Sequence, residues 1–222
     1  MPWFQPDILD FFAELEFNNN REWFQQNKKR YEKSVKVPME AFAEEMIERM
    51  RQLDPEIVMT PKDAVFRIYR DTRFSKDKTP YKTNAGISIS PGGKTQFNRP
   101  GVYFHVDAHN MGVASGYYRP GPVQINAIRA YIASHLEEFA VLLEEPNFKT
   151  YFGAVAGEKN KILPQELKAP AAIQPILYNK QFYYWSEHEP TEVLRDDLPD
   201  FIIALYQAAT PMNAFLAAAL AG

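Results

Sequence analysis

Apolar residues at Ile8, Phe11, Phe12 and Leu15 recur at helical spacing, so a short helix capped by Asp7 is predicted through Glu16. Asn19 or Asn20 can cap a second helix from Arg21 to about Lys33. Pro38 suits the start of a third, Met39 to about Leu53, which places Phe42, Met46, Ile47 and Met50 on one stripe and ends at Asp54-Pro55. The period then changes. Val65 to Tyr69, Ala85 to Ser90, Val102 to Asp107 and Gly112 to Tyr118 read as short strands, punctuated by Pro91-Gly92-Gly93, Pro100-Gly101 and His109-Asn110. The punctuated gaps are too short for helical crossovers, so antiparallel pairing is expected.

Helices return after Pro120-Gly121-Pro122, roughly Val123 to Leu136 and Glu137 to Leu143, with a third over Phe148 to Phe152. Gly153 to Pro175 is polar and proline-punctuated and is expected to wrap the surface. A late strand over Phe182 to Glu187 precedes two closing helices, Leu198 to Ala208 and the alanine-rich Pro211 to Leu220. No repeat or linker divides residues 1–222. Helices, then strands, then helices predict a single α+β domain, with an antiparallel sheet mid-chain and the N- and C-terminal helices packed on it.

Composition narrows the chemistry. At 222 residues and 45% hydrophobic, the chain can bury a sizeable core. It has no cysteine, which removes disulfides, thiolate catalysis and Cys-ligated zinc or iron–sulfur clusters. Neither a signal peptide nor an apolar run long enough to span a bilayer is read, so a soluble protein without a membrane partner is expected, with the cytoplasm as default. A pI near 5.9 argues against a protein whose main task is coating nucleic acid.

Positive charge is nonetheless segregated. From Lys62 to Lys82 there are seven bases against three acids, a local net of +4, whereas the remainder of the chain has a net of −7. Focused positive charge attracts anions more effectively than scattered charge. The same stretch contains Arg67-x-x-Arg70-Asp71-x-Arg73-Phe74, followed by Asp77-Lys78-x-x-Tyr81. With Asn18-Asn19-Asn20-Arg21-Glu22-Trp23-Phe24, Asn27-Lys28 and Tyr31-Glu32, it resembles the signature of a bacterial and fungal family catalogued as domain of unknown function 2461. The resemblance spans most of the chain and implies no activity. It encourages a reading in which Asn20 or Arg21 reaches the same pocket as the basic segment.

If Val65 to about Arg73 is extended, Phe66 and Ile68 enter the core while Arg67, Tyr69, Asp71 and Arg73 face the other way. Arg70 then falls on the apolar side, so either the strand ends there or an acid meets it, and the first is favoured. The following loop carries Arg73, Lys76, Lys78 and Tyr81 over the strand ends. Arg67, Arg70, Arg73, Lys78 and Lys82 are the candidate ligand-binding residues, because guanidinium forks suit phosphate or carboxylate oxygens and lysines act as point charges. Asp71, as a base or as the group that orients an arginine, and Tyr81 are the candidate catalytic residues. Thr79-Pro80-Tyr81 also reads as turn chemistry with an aromatic anchor, and Lys76 as solvated.

Other candidates carry less. His105, Asp107 and His109 are metal-ligand types, but alternate strand positions lie ~6.6 Å apart, which gives only a partial shell, so no metal is expected. His109 is placed in a hairpin turn. Pro91-Gly92-Gly93-Lys94 lacks the phosphate-loop spacing and is read as a turn. Ser186 lacks a nucleophile context. The preferred function is an enzyme or small-molecule binding protein holding a phosphorylated or carboxylated metabolite, and the sequence leaves any cofactor unknown. The alternatives are a nucleic-acid or nucleotide-binding module stacking bases on Tyr69, Phe74 and Tyr103, and a scaffold whose arginine–aspartate motif is purely structural.

Overall fold

The computed structural model describes residues 2–91, 93 and 99–221. It is the α+β fold the hydrophobic pattern predicts. One antiparallel sheet, formed by β1 (Asn84–Ile89), β2 (Val102–Asp107), β3 (Met111–Tyr117) and β4 (Phe182–His188) in the order β1-β2-β3-β4, lies mid-chain between N- and C-terminal helices. Within it the chain packs as two compact units. One comprises Met1–Lys94, Tyr103–Val113 and Glu187–Ile203, and the other Thr95–Val102, Ala114–Ser186 and Ala204–Gly222.

In the first unit, α1 (Asp7–Phe17) buries Ile8, Phe11, Phe12 and Leu15. Asp7 is its first residue rather than its cap, and its carboxylate accepts from Arg30 Nε at 2.9 Å. Asn20 caps α2 (Arg21–Gln26), its side-chain oxygen accepting from the Trp23 N–H at 3.0 Å. The second helix does not reach Lys33 as one piece. It stops at Gln26, and α3 (Lys28–Tyr31) then runs through a π-helical turn, Glu32–Lys36, into α4 (Val37–Leu53). Pro38 is the second residue of α4, as expected near a helix start, but the helix enters from the π turn rather than from coil. The Val37 N–H bonds to Glu32 O, five residues back, and this widened turn admits a proline that has no N–H and whose ring would strike the preceding turn. The predicted stripe Phe42, Met46, Ile47 and Met50 is buried, with the Phe42 ring 5.3 Å from that of Phe104 on β2.

The strand predicted over Val65 to Tyr69 is not a strand. After the one-turn α5 (Pro61–Ala64), the segment makes only isolated bridges, Val65 to Ile87 and Tyr69 to Tyr81. Three residues between the bridges on one side face five on the other, and that bulge interrupts the ladder. Among the bonds that hold it are Phe66 N–H to Gly86 O, 3.0 Å, Lys82 N–H to Ile68 O, 2.7 Å, and Arg70 N–H to Pro80 O, 2.9 Å.

The second unit contains α6 (Pro122–Ser134), α7 (Leu136–Leu143), α8 (Pro146–Tyr151) and α9 (Gln165–Ile173). Residues 153–175 are mostly exposed or half-buried, and within them lie α9 and the buried Val155, Leu163 and Ala171, which the sequence reading did not anticipate. The two closing helices are one, α10 (Leu198–Ala218), with Pro211 inside it. Contrary to the sequence reading, this helix is long and apolar enough to cross a bilayer by length and composition. Leu205, Ala209, Met212 and Leu216, at helical spacing, are buried within the protein. The Pro91-Gly92-Gly93-Lys94 turn lies partly outside the described residues.

Candidate functional site

The basic segment is stitched together by its own acids. Asp71 Oδ1 accepts from the Arg73 N–H at 3.2 Å, forming a tight turn, and the same carboxylate grips the Arg73 guanidinium at 2.9 and 2.7 Å. Asp77 repeats the device, accepting from the Thr79 N–H at 2.9 Å while it pairs with Arg70. Arg70 also donates to the Thr79 hydroxyl, and Lys78 Nζ donates to Thr72 O at 2.8 Å. Both carboxyls are pulled down to about 2, Asp71 first by the hydrogen bond from Arg73 and Asp77 first by that from Arg70. The positive charge of Arg67 depresses Asp71 further.

These contacts place each predicted site residue. Arg70, half-buried, meets an acid, Asp77, rather than its sequence neighbour Asp71. Arg73 and Lys78 are engaged within the loop, and Asp71 orients Arg73. A carboxylate titrating near 2 is a weak proton acceptor at neutral pH. Lys82 lies over the Phe66 ring, 5.2 Å from its centroid. Among the described residues Arg67 makes no hydrogen bond or ion pair.

Tyr81 is the anchor of the loop. Its ring is buried and stacks on Phe24, 4.0 Å between centroids and 17° between planes. In its bridge with Tyr69 the interstrand bonds are made by the flanking residues, so Tyr81 turns its own N–H and C=O outward. Asn19 meets both. Its Nδ2 donates to Tyr81 O at 2.9 Å, and its Oδ1 accepts from Tyr81 N–H at 3.1 Å. A side-chain amide thus replaces a neighbouring strand and ties the start of α2 to the basic loop.

Phe24 is the hub of a tyrosine cluster that residue-by-residue reading missed. Tyr31, Tyr69 and Tyr81 surround it at 5.3, 6.3 and 4.0 Å between ring centroids. Burial pushes the Tyr31 phenol up to about 12 and raises that of Tyr81. Tyr69 lies close enough to raise both, and Arg21 close enough to oppose the rise at Tyr81. None of the three hydroxyls, nor the Arg21 guanidinium, has a hydrogen-bond partner among the described residues. Asn18, Asn19 and Asn20 did carry a signal. Asn18 Nδ2 bonds back to Glu14 O at the end of α1 and Asn20 caps α2, so the middle asparagine is left for a distant partner.

The histidine-bearing hairpin is occupied by its own turn. His109 lies in that turn with its Nε2 2.8 Å from Glu16, which raises its pKa. Asp107 Oδ1 accepts from the N–H groups of His109 and Asn110. Among the described residues no three His, Asp or Glu side chains are grouped to hold a metal. A separate surface groove of about 550 Å³ is lined by Trp3, Ile47 and Met59 with Glu44, Glu45 and Glu48, and by no residue of the basic loop.

The fold and site define a class: an α+β protein whose sheet carries an arginine–aspartate loop seated on an aromatic cluster. The chain belongs to the family described as Conserved hypothetical protein (DUF2461), whose model matches residues 7–215. A comparison with curated proteins gave no match.

Proposed function

We propose that this protein binds a compact anionic small molecule, a phosphorylated or carboxylated metabolite, beside the Phe24 cluster. Arg21 and the hydroxyls of Tyr31, Tyr69 and Tyr81 supply the donors, and Arg67, two residues before Tyr69 in the chain, is the second candidate cation. The observation that carries this reading is the pairing pattern. Arg70 and Arg73 are matched by Asp77 and Asp71, whereas Arg21 and Arg67 have no ion-pair partner among the described residues. A guanidinium beside phenol hydroxyls suits oxyanions, and Arg21 acts on the Tyr81 side of the cluster, whereas Glu40 and Glu32 act on the Tyr31 side. The basic loop then acts as a frame that holds Tyr69 and Tyr81 in place.

A panel of mononucleotides, sugar phosphates and small carboxylates tests the reading by thermal shift. A ligand of the native state stabilises it by about 2.7 kcal/mol at a hundredfold excess over its dissociation constant, roughly 5–11 °C for a chain this long. Arg21→Ala and Arg67→Ala should remove the shift while leaving the unliganded melting temperature nearly unchanged. No shift across the panel would sink the reading.

A second reading, nucleic-acid binding, draws on Phe74, which is 95% exposed with Arg73 over its ring at 5.8 Å. It predicts oligonucleotide affinity that grows with length, weakens steeply with salt and depends on Phe74. Titration with oligonucleotides of increasing length at two salt concentrations separates the two.

A further inference from the structure

Strand β2 buries Val102, Phe104 and Val106 and turns Tyr103, His105 and Asp107 to its other face. Beside them on β1 is Gly86, where a Cβ would come within 2.8 Å of Phe104 O and 3.1 Å of His105 Cβ, so glycine permits this close approach to His105. The hairpin turn fixes the next group. Because Asp107 Oδ1 takes the N–H groups of His109 and Asn110, at 2.7 and 2.8 Å, Oδ2 is left facing His105 Nε2 at 3.9 Å. Asn110 Oδ1 lies 2.9 Å from the same nitrogen.

Asn110 Oδ1, at hydrogen-bond distance, accepts from the Nε2–H of a neutral imidazole, and the Asp107 carboxylate at 3.9 Å favours a proton on the same side through its charge, which makes Nδ1 the acceptor nitrogen. Tyr103 Oη sits 3.1 Å from Nδ1 and therefore donates its O–H to it. The Phe66 ring lies against Tyr103, 6.0 Å between centroids and 64° between planes, and the Lys82 ammonium lies 5.2 Å from the Phe66 centroid. The order is carboxylate, imidazole, hydroxyl, the arrangement that activates a nucleophile through a base held by a third group.

We propose that Asp107, His105 and Tyr103 form an acid–base series that makes the Tyr103 oxygen a nucleophile toward acyl-type electrophiles. In the step, Tyr103 Oη forms a bond to the electrophilic centre, and its proton passes to His105 Nδ1. The leaving group departs with its bonding electron pair. The resulting imidazolium is stabilised by the charge of Asp107, which is a positioning residue because it faces the histidine and acts on Tyr103 only through it. This inference is independent of the anion site.

The test uses the full chain with benzenesulfonyl fluoride as the probe, where the phenol oxygen bonds to sulfur, fluoride leaves and the proton goes to His105. Peptide mass spectrometry reads the rate at each tyrosine, with Tyr69 and Tyr118, about half exposed, as internal references. Tyr103 should be modified at least about tenfold faster than either at neutral pH, a modest share of what positioned proton transfer supplies. His105→Gln should bring Tyr103 down to the reference rate and Asp107→Asn to an intermediate one. Wild-type Tyr103 reacting no faster than Tyr69 and Tyr118 overturns the proposal, as does an unchanged rate in His105→Gln. Nitrogen NMR of wild-type His105 is a measurement that needs no variant: a proton on Nε2 supports the series, and a neutral ring protonated on Nδ1 refutes it.

Discussion

Replacing Asn19 with alanine is the sharpest test of how the basic loop is held. The substitution removes two part-buried hydrogen bonds, 2.9 and 3.1 Å, and leaves both the N–H and the C=O of Tyr81 without their partner. A net hydrogen bond contributes about 0.5–1.5 kcal/mol, and a buried backbone group left unpaired costs about 1–3 kcal/mol. Water entering the vacated space offsets part of this, so the expected loss is about 2–4 kcal/mol, or roughly 4–16 °C in melting temperature for a chain of this size. Asn19→Asp should recover part of it, since a carboxylate accepts from the Tyr81 N–H but faces the carbonyl oxygen unfavourably. The control is Asn18→Ala, which removes one exposed bond to Glu14 O at 2.8 Å and should cost less than about 1 kcal/mol. Urea midpoints for the three variants decide the matter. Equal midpoints for Asn18→Ala and Asn19→Ala would refute the reasoning, because the tie between α2 and the loop would then contribute nothing.

Two further outcomes follow from the site and the sheet. Because Asp71 and Asp77 titrate near 2 in the folded chain against an ordinary 3.8, their pairs contribute stability that is present above the ordinary value and lost as pH falls through about 2. Carboxyl-carbon NMR titration checks this, and Arg73→Ala should return Asp71 toward 3.8, whereas a wild-type Asp71 already titrating there would contradict the pairing. Gly116→Ala should cost about 2–5 kcal/mol, since φ is +93° and the new Cβ would lie 2.4 Å from Phe182 O. Gly93→Ala, with φ +69° and nothing within 4 Å, should show only the backbone part, about 1–2 kcal/mol, in the same denaturant assay.

Hydrophobic period was enough for most of the fold. The stripes on α1 and α4 and the alternation of β2 each follow from burying one face, so Ile8 to Leu15, Phe42 to Met50 and Val102 to Val106 could be read directly. The failures share a cause, which is that proline and alternation are local signals whereas continuity is decided by packing. Pro38 does stand at the second position of α4, but a π turn and not coil precedes it, so the helical path is continuous there. Pro211 looked like a break, but α10 runs through it with Ala209 and Met212 buried on either side. Val65 to Tyr69 alternates like a strand, yet the two-residue mismatch with its partner interrupts the ladder.

Charge was legible only as a sum. Counting bases from Lys62 to Lys82 correctly marks the segment as positive, but it treats every base as available, and availability depends on contacts that composition does not contain. The two loop acids sit two residues before the groups whose N–H they cap, Asp71 before Arg73 and Asp77 before Thr79, so each turn brings a carboxylate to an arginine of the same loop. Pairing is therefore a by-product of the turn chemistry, and it removes Arg70 and Arg73 from the supply of open cations. Arg21 and Arg67 stand outside those turns, on α2 and on the bulged segment, and neither is in an ion pair among the described residues, although Arg67 is near enough to act on Asp71 through its charge. That difference moves the candidate anion site from the loop tip, where the sequence concentrates charge, to the tyrosines around Phe24, where the fold leaves donors without partners.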